Sequence, residues 1–353
     1  MEEYLYSLAT DKRNGCFAGI VKCILFLLSL IYGCAVRLVS GLYHLGILKV
    51  TRLAPAVISV GNVTMGGTGK TPLVALLVDY FQQQGKKIAI LTRGYMKKVS
   101  SSTSADEPTV LSERFPSVDV LVGRNRIANA RKALESNAYD VMLLDDGFQH
   151  WRLHRDLDIV TIDSSNPFGN KRIIPRGILR EPLSSLKRVD IVVLTKTDIV
   201  ESGLEEVKKT LRDINPDAMM IESAHKPLFL KEIDKDEHIS LSALENSDIC
   251  LVCSIGDPLS FKKLVEKQGA HAKGEFVFLD HHQFSEDDIE RIINFCSQES
   301  ISTIVTTEKD AIRLRGLSGT KKSRCRILVL HIALTITSNE KGLRDRLSII
   351  SNI

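Results

Sequence analysis

The sequence predicts an α/β fold: a parallel sheet with helices on both faces, plus a smaller second α/β domain. Three observations carry this. Short apolar segments of strand length alternate with helical segments along most of the chain, the pattern of βαβ units. The first of these strands, Ala56 to Val60, runs through a glycine-rich turn into a helix from Pro72 to about Gln84. At 353 residues, 44% hydrophobic and 25% charged, the chain can build two cores and is not globally disordered.

Before that strand, residues 16–48 are apolar and broken only by Lys22 and Arg37, with Lys49 just beyond. The longest uncharged run, Cys23 to Val36, has fourteen residues, whereas a spanning helix needs about 20. Mixed charges before it and no small-residue cleavage site after it argue against a secretory signal. A helix lying in a membrane interface, its cations toward headgroups, is expected; a core helix of the first domain is the alternative. This gives an apolar N-terminal region at 1–50, a core domain at 51–225 and a second domain at 226–353 that closes over the site.

In the core domain, a strand at Ile88 to Thr92 leads into a polar, Ser/Thr-rich loop, Lys97 to Pro108, expected to be exposed. A strand at Val118 to Val122, a helix at Arg124 to Ser136 and a buried strand at Val141 to Leu144 follow. Further strands are Leu157 to Ile162 and Asp190 to Leu194, then a helix at Leu204 to Ile214. A domain boundary is expected near Glu222 to Pro227. Beyond it lie strands at Ile249 to Ser254, Glu275 to Leu279 and Thr303 to Thr306, with helices at Leu259 to Gln268 and Glu286 to Cys296.

Ligands of such sheets sit at the carboxyl ends of the strands, where the chemistry-bearing loops fall. Gly66, Gly67, Thr68, Gly69, Lys70 and Thr71 form a P-loop NTPase-like turn whose backbone N–H groups and helix N-terminus face phosphate oxygens. Lys70 would reach the β- and γ-phosphates of a nucleotide, and the Thr71 hydroxyl would ligate Mg²⁺. Four apolar residues before Asp145-Asp146 make a Walker B-like strand end, or else a turn. Asp106-Glu107 and His281-His282 offer a carboxylate and an imidazole for proton transfer, or an acidic loop and a helix cap. Thr195-Lys196-Thr197-Asp198 is a degenerate version of the guanine-reading element of GTPases, and Met65 stands where ParA-like ATPases carry a lysine.

The net charge of +4, without basic tracts, gives no nucleic-acid surface. Seven cysteines without a framework suit a reducing compartment. Cys250 and Cys253, three apart on a strand, face opposite sides and would not share a metal.

Several segments together resemble the tetraacyldisaccharide 4'-kinase family, the lipid A kinases of Gram-negative bacteria. They are Gly61 to Pro72, Leu91-Thr92-Arg93-Gly94-Tyr95, Asp106-Glu107-Pro108, Asp145-Asp146-Gly147-Phe148-Gln149-His150 with Arg155 to Val160, Pro175 to Pro182, Asp280-His281-His282 and Thr307-Glu308-Lys309-Asp310. Trp151 replaces the family's usual basic residue and Phe278-Leu279 its common Phe-Pro; neither position carries an assigned chemical role. The resemblance implies an enzyme, a phosphotransferase with an alcohol acceptor. ATP would phosphorylate the 4'-hydroxyl of a tetraacylated glucosamine disaccharide 1-phosphate at the cytoplasmic face of the inner membrane, where the protein is peripheral. By position, Asp106 would be the base and His281 its partner. Thr71, Glu107, Asp145 and Asp146 would surround Mg²⁺, and Gln149 and Arg124 would meet the substrate. The competing class is a membrane-bound P-loop switch or positioning ATPase, which hydrolyses nucleotide without an acceptor.

Overall fold

The computed structural model describes residues 2–94, 106–200, 202–280, 282–322 and 325–350. Two N-terminal helices, α1 (Glu2–Ala9) and α2 (Cys16–His44), precede β1 (Ala56–Asn62), α3 (Lys70–Gln83) and β2 (Ile88–Thr92). Then come α4 (Asp106–Arg114), β3 (Asp119–Val122), α5 (Arg126–Ser136), β4 (Val141–Asp145), β5 (Leu157–Asp163), β6 (Ile191–Thr195) and α6 (Leu204–Ile214). The remainder is β7 (Met219–Glu232), β8 (His238–Ile239), β9 (Asp248–Cys253), α7 (Pro258–Glu266), β10 (His271–Val277) and α8 (Glu286–Gln298), followed by β11 (Thr303–Thr307), α9 (Glu308–Leu314), α10 (Ser318–Lys322), β12 (Arg326–Ser338) and α11 (Glu340–Ile350).

The chain divides into two compact units. The first holds residues 1–93, 117–224 and 336–353, and the second 94–116 and 225–335. The division at 224/225 falls beside the boundary read from the sequence, but the units are discontinuous. The stretch Glu222 to Pro227 is the middle of the 14-residue strand β7, which begins in one unit and ends in the other. The 13-residue β12 makes the return crossing and delivers α11 to the first unit.

In the first unit the strand order is β3-β2-β4-β1-β5-β6-β7, and each neighbouring pair runs parallel. β1 is central, and all seven of its residues are buried, as its apolar sequence requires. Val57, Ala89, Leu91, Met142 and Leu144 pack against Ile127 and Ala130 of α5. Val160, Ile162, Val192 and Leu194 pack against Val207 and Leu211 of α6. α3 buries Leu73, Val74, Leu77, Val78 and Phe81, each worth about 1.5–3 kcal/mol in removed apolar surface. α5 starts two residues later than the sequence suggested because the Asn125 side chain accepts from the Ala128 N–H and caps it there, which leaves Arg124 outside the helix.

In the second unit, β9, β10, β11 and β12 form parallel pairs in the order β10-β9-β11-β12, and β8 lies antiparallel on β7. Side chains alternate between two cores. Cys250 and Val252 join α8 and α9 on one face, and Ile249, Leu251 and Cys253 join Phe261 and Val265 of α7 on the other. The two cysteines of the C-x-x-C thus lie on opposite faces.

The N-terminal apolar stretch is one continuous helix of 29 residues, long and apolar enough by composition to cross a bilayer. Its length therefore does not by itself keep it out of a membrane, although charges interrupt the run. One stripe, Leu25, Ser29, Gly33 and Val36, is buried. α1 covers its start through Leu8, and Asp11 after α1 pairs with both Lys22 and Arg176. The Tyr32 hydroxyl donates to the Arg180 carbonyl, and the Arg172 guanidinium lies over the Phe26 ring. The opposite stripe, Phe17, Ile20, Ile24, Leu27 and Ile31, is exposed.

Candidate active site

The first unit gathers its polar loops on the carboxyl edge of the sheet because β1 lies between β4 and β5. Val60 is in register with Asp145, so the turn after β1 and the acidic strand end after β4 emerge side by side. Gly69, at φ +84° directly before α3, has a left-handed conformation that a side chain would strain. Behind the loop, the Thr68 hydroxyl bonds that of Thr161 at 2.7 Å, and the Thr195 hydroxyl donates to the Thr68 carbonyl at 3.2 Å. In front, the Met65 N–H donates to the Ile178 carbonyl and the Arg180 N–H to that of Val63. The turn is held from both sides with the N-terminus of α3 at its end.

Asp146 is the electrostatic centre. It sits at φ +50°, a left-handed position that aspartate tolerates better than most residues. Arg180 donates to both of its oxygens, at 2.6 and 3.1 Å, and to the Asn62 side chain at 3.0 Å. The Lys70 ammonium lies 3.7 Å away. Burial pushes the Asp146 carboxyl up, but the charges of Lys70, Arg180 and Arg126 outweigh it and hold the group down at about 2. It is ionised at neutral pH. Asp145, 1% exposed, accepts from the Thr92 hydroxyl at 3.4 Å. Arg126, also buried, donates to the Asp146 carbonyl. Arg126 rather than the exposed Arg124 is therefore the arginine at this corner, set there by the cap on Asn125.

The Gln149 amide donates to the Asn62 carbonyl at 3.0 Å, tying the turn after β4 to that after β1. Other matched residues are structural. Arg155 forks onto Asp158, and the Asp156 carboxylate accepts from the Val57 N–H, fastening β5 to β1. Lys196 is buried and paired with Asp163.

The donor set suits a hard cation shared with phosphates. Thr71 lies in the first turn of α3, next in the chain to the Lys70 that faces Asp146, and among the described residues no group of three or more His, Cys, Asp or Glu side chains converges. A hydroxyl and one or two carboxylates fit Mg²⁺, which keeps water and phosphate oxygens as its other ligands.

The second unit carries the remaining candidates. α4 packs on α9, where Lys309 pairs with Glu107 at 2.5 Å and Arg315 with Glu113 at 2.7 Å. Glu107, expected at the metal, is held by this lysine. Asp310, fully buried, accepts from the Ser254 N–H, the Ser254 hydroxyl and the Thr307 hydroxyl. Arg313 of α9 donates to the His282 carbonyl at 2.8 Å. The His282 ring bonds Asp288, which completes the capping box of α8, and stacks on Phe278. His282 thus braces the cap of α8, whose N-cap residue is Ser285. His281 lies outside the described residues, as does the Asp106 side chain; the backbone of Asp106 begins α4. α4, Asp280 and His282 all belong to the second unit, which corrects the expectation that Asp106 and the histidine loop sit on different domains.

His150 gives this corner a pH signature. Burial, reinforced by the charges of Arg126, Arg155, Arg152 and Arg93, pushes its imidazole down to about 4. Between about 6.5 and about 4 the unfolded chain binds a proton that the folded chain does not, so stability is complete above this window and falls as pH is lowered through it. Thermal melts of His150→Gln across the window are expected to depend less on pH than those of the parent. Equal slopes would show that His150 titrates normally.

Residues 21–350 match the family model described as tetraacyldisaccharide-1-P 4'-kinase. The tetraacyldisaccharide 4'-kinase of Halothermothrix orenii is 36% identical over 339 residues, covering 89% of this chain and 88% of that protein. That of Bdellovibrio bacteriovorus is 31% identical over 302 residues, covering 82% and 88%. Among solved structures, "apo" form LpxK of Aquifex aeolicus in complex with ATP superimposes with a TM-score of 0.72 at 28% identity, covering 94% of this chain and 99% of that one.

Proposed function

The chain belongs to the tetraacyldisaccharide-1-P 4'-kinase family, and on that premise we propose how its residues divide the work. It is an ATP-dependent kinase that phosphorylates the 4'-hydroxyl of the tetraacylated disaccharide 1-phosphate in lipid A biosynthesis. The turn Gly66 to Thr71 holds the ATP phosphates by backbone N–H groups, and Lys70 follows the charge of the transferring phosphoryl group. Thr71 and the Asp145-Asp146 pair would hold Mg²⁺, which neutralises phosphate charge. Asp106 accepts the proton of the attacking hydroxyl, with His281 as its partner. Glu107, Gln149 and Arg124, in the turn before α5, border the metal and substrate. The observation that carries this reading is the Lys70–Asp146–Arg180 cluster standing at the end of a phosphate-type turn.

The amphiphilic acceptor suits the N-terminal helix. We read α2 as lying in the interface of the inner membrane, on its cytoplasmic face. One stripe is spent on the protein itself, Lys22 is paired with Asp11, and five large apolar side chains point away along a single face. Acyl chains would stay in the bilayer while the sugar reaches the loop at Arg180, which α2 touches through Tyr32. The variant Phe17→Ser/Ile24→Ser/Ile31→Ser is expected to lose co-sedimentation with anionic vesicles and to raise KM for the lipid more than KM for ATP. Unchanged vesicle binding would remove the interfacial role.

Transfer of label from γ-labelled ATP into the disaccharide lipid tests the whole reading. Lipid-dependent transfer with little turnover in its absence is expected. Nucleotide hydrolysis that ignores the lipid would instead mark a switch ATPase.

A further inference from the structure

We propose that Arg188 is a positioning residue for phosphoryl transfer: it fixes the two loops that bring Arg180 and Asp146 together. This inference rests on the kinase reading above. Arg188 ends a short 3₁₀ helix, Leu183–Arg188. Its guanidinium forks onto Glu181, with two bonds of 2.9 Å, and Glu181 is only 1% exposed. The same group donates to the Phe148 carbonyl at 3.0 Å and lies 3.7 Å from the centre of the Phe148 ring.

Each contact anchors a neighbour of a site residue. Glu181 follows Arg180 in the chain, and Phe148 lies two residues after Asp146. Phe148 is fully buried and wedged against β1, where a Cβ at Gly61 would fall 2.5 Å from the Phe148 Cβ. One planar cation thus joins the Arg180 loop, the turn after β4 and, through Phe148, the base of the glycine turn. The 3₁₀ helix is itself held, because the Asn215 amide donates to the Leu186 and Val189 carbonyls at 2.9 Å each.

A lysine could neutralise Glu181, but as a point charge it cannot form the fork, donate to Phe148 and cover the ring at once. Arg188→Lys therefore keeps the buried carboxylate paired while releasing the register between the loops. A shift of about 1 Å at a reacting group can cost on the order of 10²-fold, so a loss of about 10- to 100-fold is expected in kcat, with both KM values near those of the parent. Because Arg188 acts through the Arg180–Asp146 pair, the same change made in Arg180→Ala should cost little more.

The experiment measures lipid phosphorylation by the parent, Arg188→Lys, Arg180→Ala and the double variant, with thermal melts of each. Glu181→Gln, which keeps the shape of the acceptor, serves as a second probe of the clamp should Arg188→Lys not fold. A kcat loss that vanishes in the Arg180→Ala background supports the clamp. A folded Arg188→Lys with parental kcat, or a full additional loss on top of Arg180→Ala, overturns it. A parent that transfers no phosphate to the lipid would defeat the kinase reading instead.

Discussion

Replacing Lys70 by alanine is expected to lower lipid phosphorylation by at least about 10²–10³-fold, the scale of removing a preorganised cation or donor from a developing negative charge. The side chain rises from the first residue of α3, and among the described residues it pairs with Asp146 at 3.7 Å. Asp146 keeps both bonds from Arg180 in the variant. The melting temperature and the vesicle binding should therefore stay close to those of the parent. The Asp146 carboxyl should titrate higher, because Lys70 is foremost among the charges that hold it down. Parental turnover at saturating ATP would remove Lys70 from the reaction.

The parts of this site that were legible in the sequence are those in which one stretch of chain does the whole job. β1, the glycine turn and α3 are consecutive, and their order alone states the geometry. Asp145-Asp146 was readable for the same reason, as an apolar strand with its polar end. Arg180 was visible as part of a matched segment, but not as the partner of Asp146, because that pair joins residues 34 apart through two irregular loops. Arg126 was not singled out in the sequence because a cap one residue away decides that its side chain turns inward. The long strands β7 and β12 were missed for another reason. Both cross between units, so their burial pattern is mixed, and the boundary read near Glu222 to Pro227 falls inside β7. The return of the chain to the first unit as α11 has no local signal. Its anchors are distant, such as the Tyr80 hydroxyl on the Arg344 carbonyl.

Asp106→Ala and His281→Ala are each expected to lower kcat by about 10²–10⁴-fold, the usual contribution of a positioned base. The apparent affinity for ATP should hardly change, since the phosphate turn belongs to the first unit and α4 to the second. The double variant should be scarcely worse than the poorer single one, because a pair acting as one unit is lost only once. Both segments converge on α9: α4 packs on it, and its Arg313 holds the carbonyl of His282, the residue after His281. A dyad carried by one unit would exist before nucleotide binds, so closure would deliver it whole instead of assembling it. This can be checked without turnover. In nucleotide-free protein a neighbouring carboxylate raises the pKa of an imidazole, and Asp106→Ala should therefore lower the NMR titration midpoint of His281. A midpoint that does not move until ATP and lipid are both present would restore assembly by closure. Losses that multiply in the double variant would mean that the two residues do separate work.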